Sequence, residues 1–271
     1  MGSDDDEIGV GATEELSLRV SVATLVSVLF AHPENGKAML ALERTATLRE
    51  IKGPSQVIVR ANPFGGAVRL ADPQALEERI GHFHYDSIRS RQERDFRIQI
   101  DPASWEKVKQ VCRQHLKETG NGILDSSPER ELAEEFEDSL NVKMAPGQYR
   151  LQSRGIIIED MPVETDNVRA EGFPTVRVYY VFEAWIEAPQ MIRMVLANHS
   201  RYSDKDLEQM AWEDAVHGGK GRANAVLALG LDDLNELGQS MMTSAHNEPI
   251  WLRGHQLDRS VLAILPELPP P

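Results

Sequence analysis

The residues Arg130-Glu131-Leu132-Ala133-Glu134-Glu135 carry the densest chemistry in the chain. Ser127-Pro128 just before them reads as an N-cap followed by proline in the first turn, which starts a helix there. On that helix Glu131 and Glu135 are one turn apart, and Glu131 and Glu134 are at i, i+3, so three carboxylates share a face. Like charges stacked this way repel by roughly 0.2–0.5 kcal/mol per pair. A hard divalent cation, Mg²⁺ or Mn²⁺, held between Glu131, Glu134 and Glu135 would remove that repulsion, because such ions take oxygen ligands. Arg130 would orient or neutralise one carboxylate by pairing with it. Leu132, Phe136 and Leu140 form the opposing apolar stripe, so one face is acidic and the other packs on a core. The same charges, taken alone, also describe a solvated helix face.

Other chemistry-bearing residues are sparser. His217-Gly-Gly-Lys220-Gly-Arg222 is glycine-rich and basic and precedes a segment read as a helix, where backbone N–H groups with Lys220 or Arg222 would hold an anion. It lacks the spacing of a P-loop and reads equally as a flexible link. His82 and His84 would share a face on a strand, but no third histidine or cysteine has metal-ligand spacing. Cys112 falls on an apolar helical stripe and reads as core. No G-x-S-x-G is present to support a serine nucleophile.

The elements that must position these groups follow from periodicity. Leu16–Ala23 alternates as a half-buried strand and Val26–Phe30 continues it. Asn35-Gly36 is a hairpin turn, and Ala38–Arg44 is the partner strand. Val57–Arg60 is a short strand that Gly65-Gly66 ends in a turn. Asp72-Pro73 begins a helix through Ile80, and Phe96–Ile100 alternates like a strand. Asp101-Pro102 begins a helix carrying Trp105, Val108, Val111, Cys112 and Leu116, which Gly120-Asn121-Gly122 ends. These residues suggest a small subdomain or lid. Tyr149–Glu159 and Val176–Ile186 read as strands, and in the latter Val176, Val178, Tyr180, Phe182, Ala184 and Ile186 share a face. Ser203 caps a helix through His217, and Arg222–Leu237 is read as the next helix. Ile250–Arg253 and Val261–Leu265 are read as late strands.

Taken together, these residues resemble the Nudix family. Arg130–Glu135 matches the second half of its box, G-x5-E-x7-R-E-U-x-E-E-x-G-U with U apolar. Asn62–Val68 resembles the Pro-Gly-Gly turn that opens the box, Val20–Ala31 and Lys37–Arg44 the opening strand pair, and Thr175–Ile186 the long strand after the helix. The resemblance covers residues 16–236. It departs in three places. Gly66 and Arg130 are 64 positions apart, not 14, so about 50 residues stand inside the box. The box's first glutamate would fall on Gly122, and the glycine after the glutamates is replaced by Phe136-Glu137-Asp138.

The resemblance implies an α/β fold of mixed α+β type, a mixed sheet sandwiched between helices. The expected organisation is a disordered tail over 1–15, a Nudix-like domain over 16–240 with an insert over 73–122, and a C-terminal extension over 241–271. It also implies Mg²⁺-dependent hydrolysis of a nucleoside diphosphate linked to another moiety, with Glu131, Glu134 and Glu135 on the metal. Glu134, Glu135 and Glu183, the last in the late strand, are the catalytic candidates, Glu183 as base. Gly65, Gly66, Arg44, Lys220 and Arg222 are candidate substrate contacts. The missing glutamate keeps open a nucleotide- or protein-binding module without turnover, or the fold recruited to another reaction.

Composition narrows the partners. The chain has 271 residues, 41% hydrophobic, enough for a substantial core. A net charge of −14 argues against general nucleic-acid or anionic-membrane binding. No apolar run reaches the ~20 residues of a membrane span. The acidic Met-Gly-Ser-Asp-Asp-Asp-Glu start does not read as a signal peptide. A single cysteine forms no intrachain disulfide, which fits a cytoplasmic protein, and a homodimer stays open.

Overall fold

The computed structural model describes residues 18–49, 55–118, 122–164, 173–217, 224–234 and 250–265. Its centre is β1 (Leu18–Ala31), whose alternating valines are fully buried on one face. One edge of β1 pairs in parallel with β10 (Pro174–Ile186) from Arg19↔Thr175 to Leu29↔Trp185. The other edge is shared in succession by β7 (Arg97–Ile100), β4 (Phe64–Ala67) and the start of β2 (Ala38–Arg49), all antiparallel. The hairpin between β1 and β2 turns at Gly36, whose φ of 69° suits glycine.

Beyond Ala41, β2 leaves β1. It pairs on one edge with β3 (Gln56–Asn62) and on the other with β11 (Asn224–Gly230). Two short strands, β12 (Ile250–Leu252) and β13 (His255–Leu257), extend the sheet beyond β3. At its other end β9 (Tyr149–Glu164) pairs with β10. The result is a mixed sheet with helices on both faces.

Strand alternation assigns each helix to a face. On the first, Val20, Val22, Val26, Val28, Tyr180, Phe182 and Ala184 meet α1 (Pro73–Ile80), α3 (Trp105–His115), α4 (Pro128–Leu140) and α5 (Pro189–Arg201). On the second, Leu25, Leu29, Tyr179 and Val181 meet α7 (Val261–Ile264). There too α6 (Asp204–His217) lays Leu207 and Ala211 on Ala46, Val57 and Val59. No helix among the described residues is long and apolar enough to cross a membrane.

The segment expected as an insert, 73–122, is part of this core in its described residues. Its strand β7 pairs with β1, and Val108, Val111 and Cys112 of α3 lie in the first-face cluster. β6 (Phe83–Tyr85), which pairs with β7, and α2 (Ile88–Glu93) complete it. The helix expected from Asp101-Pro102 begins as a 3₁₀ turn over 102–104 and ends at His115, short of Gly120.

Three sequence expectations change. Gly65-Gly66 lies inside β4 and is not a turn. A Cβ on Gly65 would stand 2.1 Å from the Thr24 carbonyl oxygen, so glycine is there for close backbone approach to β1. The helix expected over Arg222–Leu237 is present only at 231–234 among the described residues; Asn224–Gly230 before it is a buried strand. Its alanines and leucines favour helix locally, but a seven-residue ladder with β2 overrides that preference. Val261–Ile264 is a helical turn, not a strand. Helix α5 was not foreseen, although Pro189 at its first turn and Met191 and Val195 at i, i+4 announce it.

Candidate active site

The acidic helix and the glycine pair meet because the chain between them closes on itself. β5 (Arg69–Leu70) pairs antiparallel with β8 (Leu124–Asp125), and Ala71 N–H donates to the Ile123 carbonyl at 2.8 Å. The chain thus leaves and returns side by side. It starts α4 directly over β4. The Ser127 hydroxyl caps the helix by accepting from Arg130 N–H at 3.3 Å. The Phe64 and Phe136 rings stack with centroids 4.8 Å apart. At the far end, the Ser139 hydroxyl donates to Glu43 Oε1 at 3.1 Å, which also accepts from Asn224 Nδ2 at 2.8 Å.

This docking buries Glu131, which is only 4% exposed. Its carboxylate lies on Gly66, where an added Cβ would meet Oε2 at 2.2 Å. Only a residue without a side chain leaves that space. Burial pushes the Glu131 pKa up to about 7, helped by neighbouring Glu134 and Asp125 and opposed by Arg130 and Arg69.

Two arginines serve these acids. Arg130 Nη2 is 2.6 Å from Glu131 Oε1, its Nη1 is 3.3 Å from Glu134 Oε2, and its Nε is 3.8 Å from Asp125. Arg69 Nη2 is 3.9 Å from Glu134 Oε1. Neighbours at i, i+1 on a helix do not face one another, so the Arg130–Glu131 contact is close but off the hydrogen-bond line. Nε and Nη2 of Arg130 are buried without a hydrogen-bond partner. Buried donors in that state favour an incoming acceptor. Chemically, the site pairs a carboxyl that exchanges its proton near neutrality with cationic donors suited to an oxyanion.

The implied metal meets a mixed test. Carboxylate oxygens are the donors a hard ion takes. As they stand, Arg130 engages two of the carboxylates, and among the described residues no group of three His, Cys, Asp or Glu is gathered closely enough to hold a metal ion.

Glu131, Glu134, Glu135, Gly65 and Gly66 therefore come together around α4 and β4. Glu183 and Arg44 stand elsewhere. Phe182 and Ala184 face the α4 side, so Glu183 between them faces the other, beside Ser27 in register. Arg44 follows Glu43 on β2 and likewise points to the second face. There, 2% exposed, it donates to the Tyr202 carbonyl and to Asp204 Oδ1. Arg44 joins β2 to the α5–α6 junction and makes no contact with the acidic face. Lys220 and Arg222 lie outside the described residues.

Two residues at the site, Arg69 and Asp125, and Glu43 at the far end of α4 are not marked as contributors by any motif in the sequence. Arg69 and Asp125 meet it through a strand pairing across the insert, which no local pattern reveals. Glu43 carried a signal, a carboxylate directly after the apolar run Leu40-Ala41-Leu42 of a strand. Compared with known proteins, the chain matches no family model and no curated sequence.

Proposed function

We propose that the chain is a Nudix-like enzyme that hydrolyses a nucleoside diphosphate linked to another moiety at the α4–β4 junction, with Mg²⁺ or Mn²⁺ as cofactor. The observation that supports this reading is the seating of Glu131 on Gly66. The glycine pair and the Arg-Glu helix adjoin in space although some 50 residues separate the halves of the box. Glu131, with its pKa near 7, is the general base that takes a proton from the attacking water. Arg130 and Arg69 bind phosphoryl oxygens and offset their charge. Glu134 and Glu135 are the carboxylates that would hold a metal, which would neutralise phosphate oxygens and lower the pKa of a bound water.

One observation favours a second reading, a nucleotide-binding module without turnover: Arg130 and Arg69 already serve as the cations of this acidic face. A panel of nucleoside diphosphate derivatives assayed with and without Mg²⁺ decides between them. The enzyme predicts metal-dependent turnover that falls by several kcal/mol of transition-state stabilisation, about 100-fold or more, in Glu134→Gln. Glu129→Gln should change it little, because Glu129 is about 140° around the helix from Glu134 and bonds Ser127 instead. Binding with no turnover of any compound would leave the module; larger loss in Glu129→Gln would refute the site.

A further inference from the structure

We propose that β9 is the seam of a homodimer, pairing antiparallel with β9 of a second copy about a two-fold axis at Ile157. β9 ends the sheet, and no described strand pairs with its outer edge. An open edge with unpaired N–H and C=O groups is a template for another strand. Register shifts opposite Val181/Phe182 and Thr175/Arg177 leave Gly155-Ile156-Ile157-Ile158-Glu159 in unbroken register with β10, Gly155 with its φ of 125° marking the bulge at one end. Ile156 and Ile158 pack on the first-face core, and Ile157 is turned away from them and is 39% exposed.

The occupant follows from charge. The first half of β9 carries Arg150 and Arg154 and the second half Glu159, Asp160 and Glu164. Antiparallel self-pairing sets each half against its opposite in the partner, whereas parallel pairing sets like on like. With the axis at Ile157, Glu159 of one copy opposes Gly155 of the other and stands beside the neighbouring Arg154. Both side chains are on the second face: Arg154 donates to the Ile264 and Leu265 carbonyls, and Glu159 pairs with Arg177 at 3.6 Å. Ile157 meets its own copy on that face and is shielded by the two ion pairs. Pro162 and the register shifts end the pairing on either side, so the seam is short and the two sheets join over about five residues.

Cross-linking of the full chain tests this geometry. Residues directly opposed across an antiparallel pair have Cα atoms about 4.5–5.5 Å apart, within disulfide reach. Ile157→Cys should therefore form a covalent dimer under mild oxidation by glutathione disulfide. Gln152→Cys, exposed on the same face, sits about 33 Å from its own copy in this register and should not. The native Cys112 is buried, so the unmodified protein is the blank. In sedimentation, the unmodified protein should dimerise, and Ile157→Lys should weaken that dimer at least about tenfold by placing like charges at the axis. A protein that stays monomeric at every concentration, or equal cross-linking by the two cysteine variants, overturns the proposal. So does a dimer that Ile157→Lys leaves intact.

Discussion

Replacing Glu131 by Gln should remove a pH dependence that the fold builds into its own stability. Burial raises this carboxyl from 4.5 to about 7. A group whose folded pKa lies above its unfolded value stabilises the fold fully below pH 4.5 and loses that contribution as pH rises through 7. The whole shift is worth about 3 kcal/mol at ~1.4 kcal/mol per unit. Between pH 5.5 and 8.5 the loss is about 2 kcal/mol, because the carboxyl of the unfolded chain is already mostly ionised at pH 5.5 while the folded one is not. The side chain is 5% exposed, so solvent screening reduces this little. Glutamine keeps the shape over Gly66 but does not titrate. Urea unfolding of both proteins at the two pH values gives the answer from the midpoints. The unmodified protein should lose about 2 kcal/mol more than Glu131→Gln over that interval, with equal denaturant slopes. Comparing the two cancels every other titrating group. An identical loss in both would show that Glu131 is not held protonated by the Gly66 seat.

Three further outcomes follow from the same contacts. Gly65→Ala should cost about 3 kcal/mol or more in denaturant unfolding, since its Cβ strikes the Thr24 carbonyl at a φ of 139°, while Gly66→Ala should cost less and displace the Glu131 carboxyl. Ser139→Ala should destabilise by about 1–2 kcal/mol by taking a donor from buried Glu43. His199 has its pKa lowered by burial, then by Arg44 and His255, and its Nδ1 accepts from Ala228 N–H at 3.2 Å. The unfolded chain therefore takes up a proton first, so stability should fall as pH drops below about 6.5. His199→Gln should flatten that acid limb in thermal melts.

What was legible in the sequence was local. Asp72-Pro73 gave α1 its start because the Asp72 carboxylate accepts from Ala75 N–H, and Ser127-Pro128 did the same for α4. The alternating face of Val176–Ile186 was readable because each of those residues is buried or nearly so on one side of a strand covered by helices. Asn224–Gly230 reads as helix because Ala and Leu alternate there as readily on a buried strand as they recur on a helix. Its identity comes from partners. β2 supplies one edge, and Asn198 and His199 of α5 accept its Val226 and Ala228 N–H groups on the other.

The site divides in the same way. Helical spacing put Glu131, Glu134 and Glu135 on one face of α4, but spacing says nothing of which is buried. The glycines decide that. Gly65 lets β4 press against β1, and Gly66 leaves room for a carboxylate on the surface so made. Glu131 consequently loses water and rises towards 7, while Glu134, half-exposed, stays with its arginines. Glu131 and Glu134, which look equivalent along the helix, thus acquire different chemistry from one missing Cβ. That is also why the role proposed for Glu131 was invisible in the sequence: it depends on Gly66, 65 positions away, and on the β5–β8 pairing that returns the chain to it.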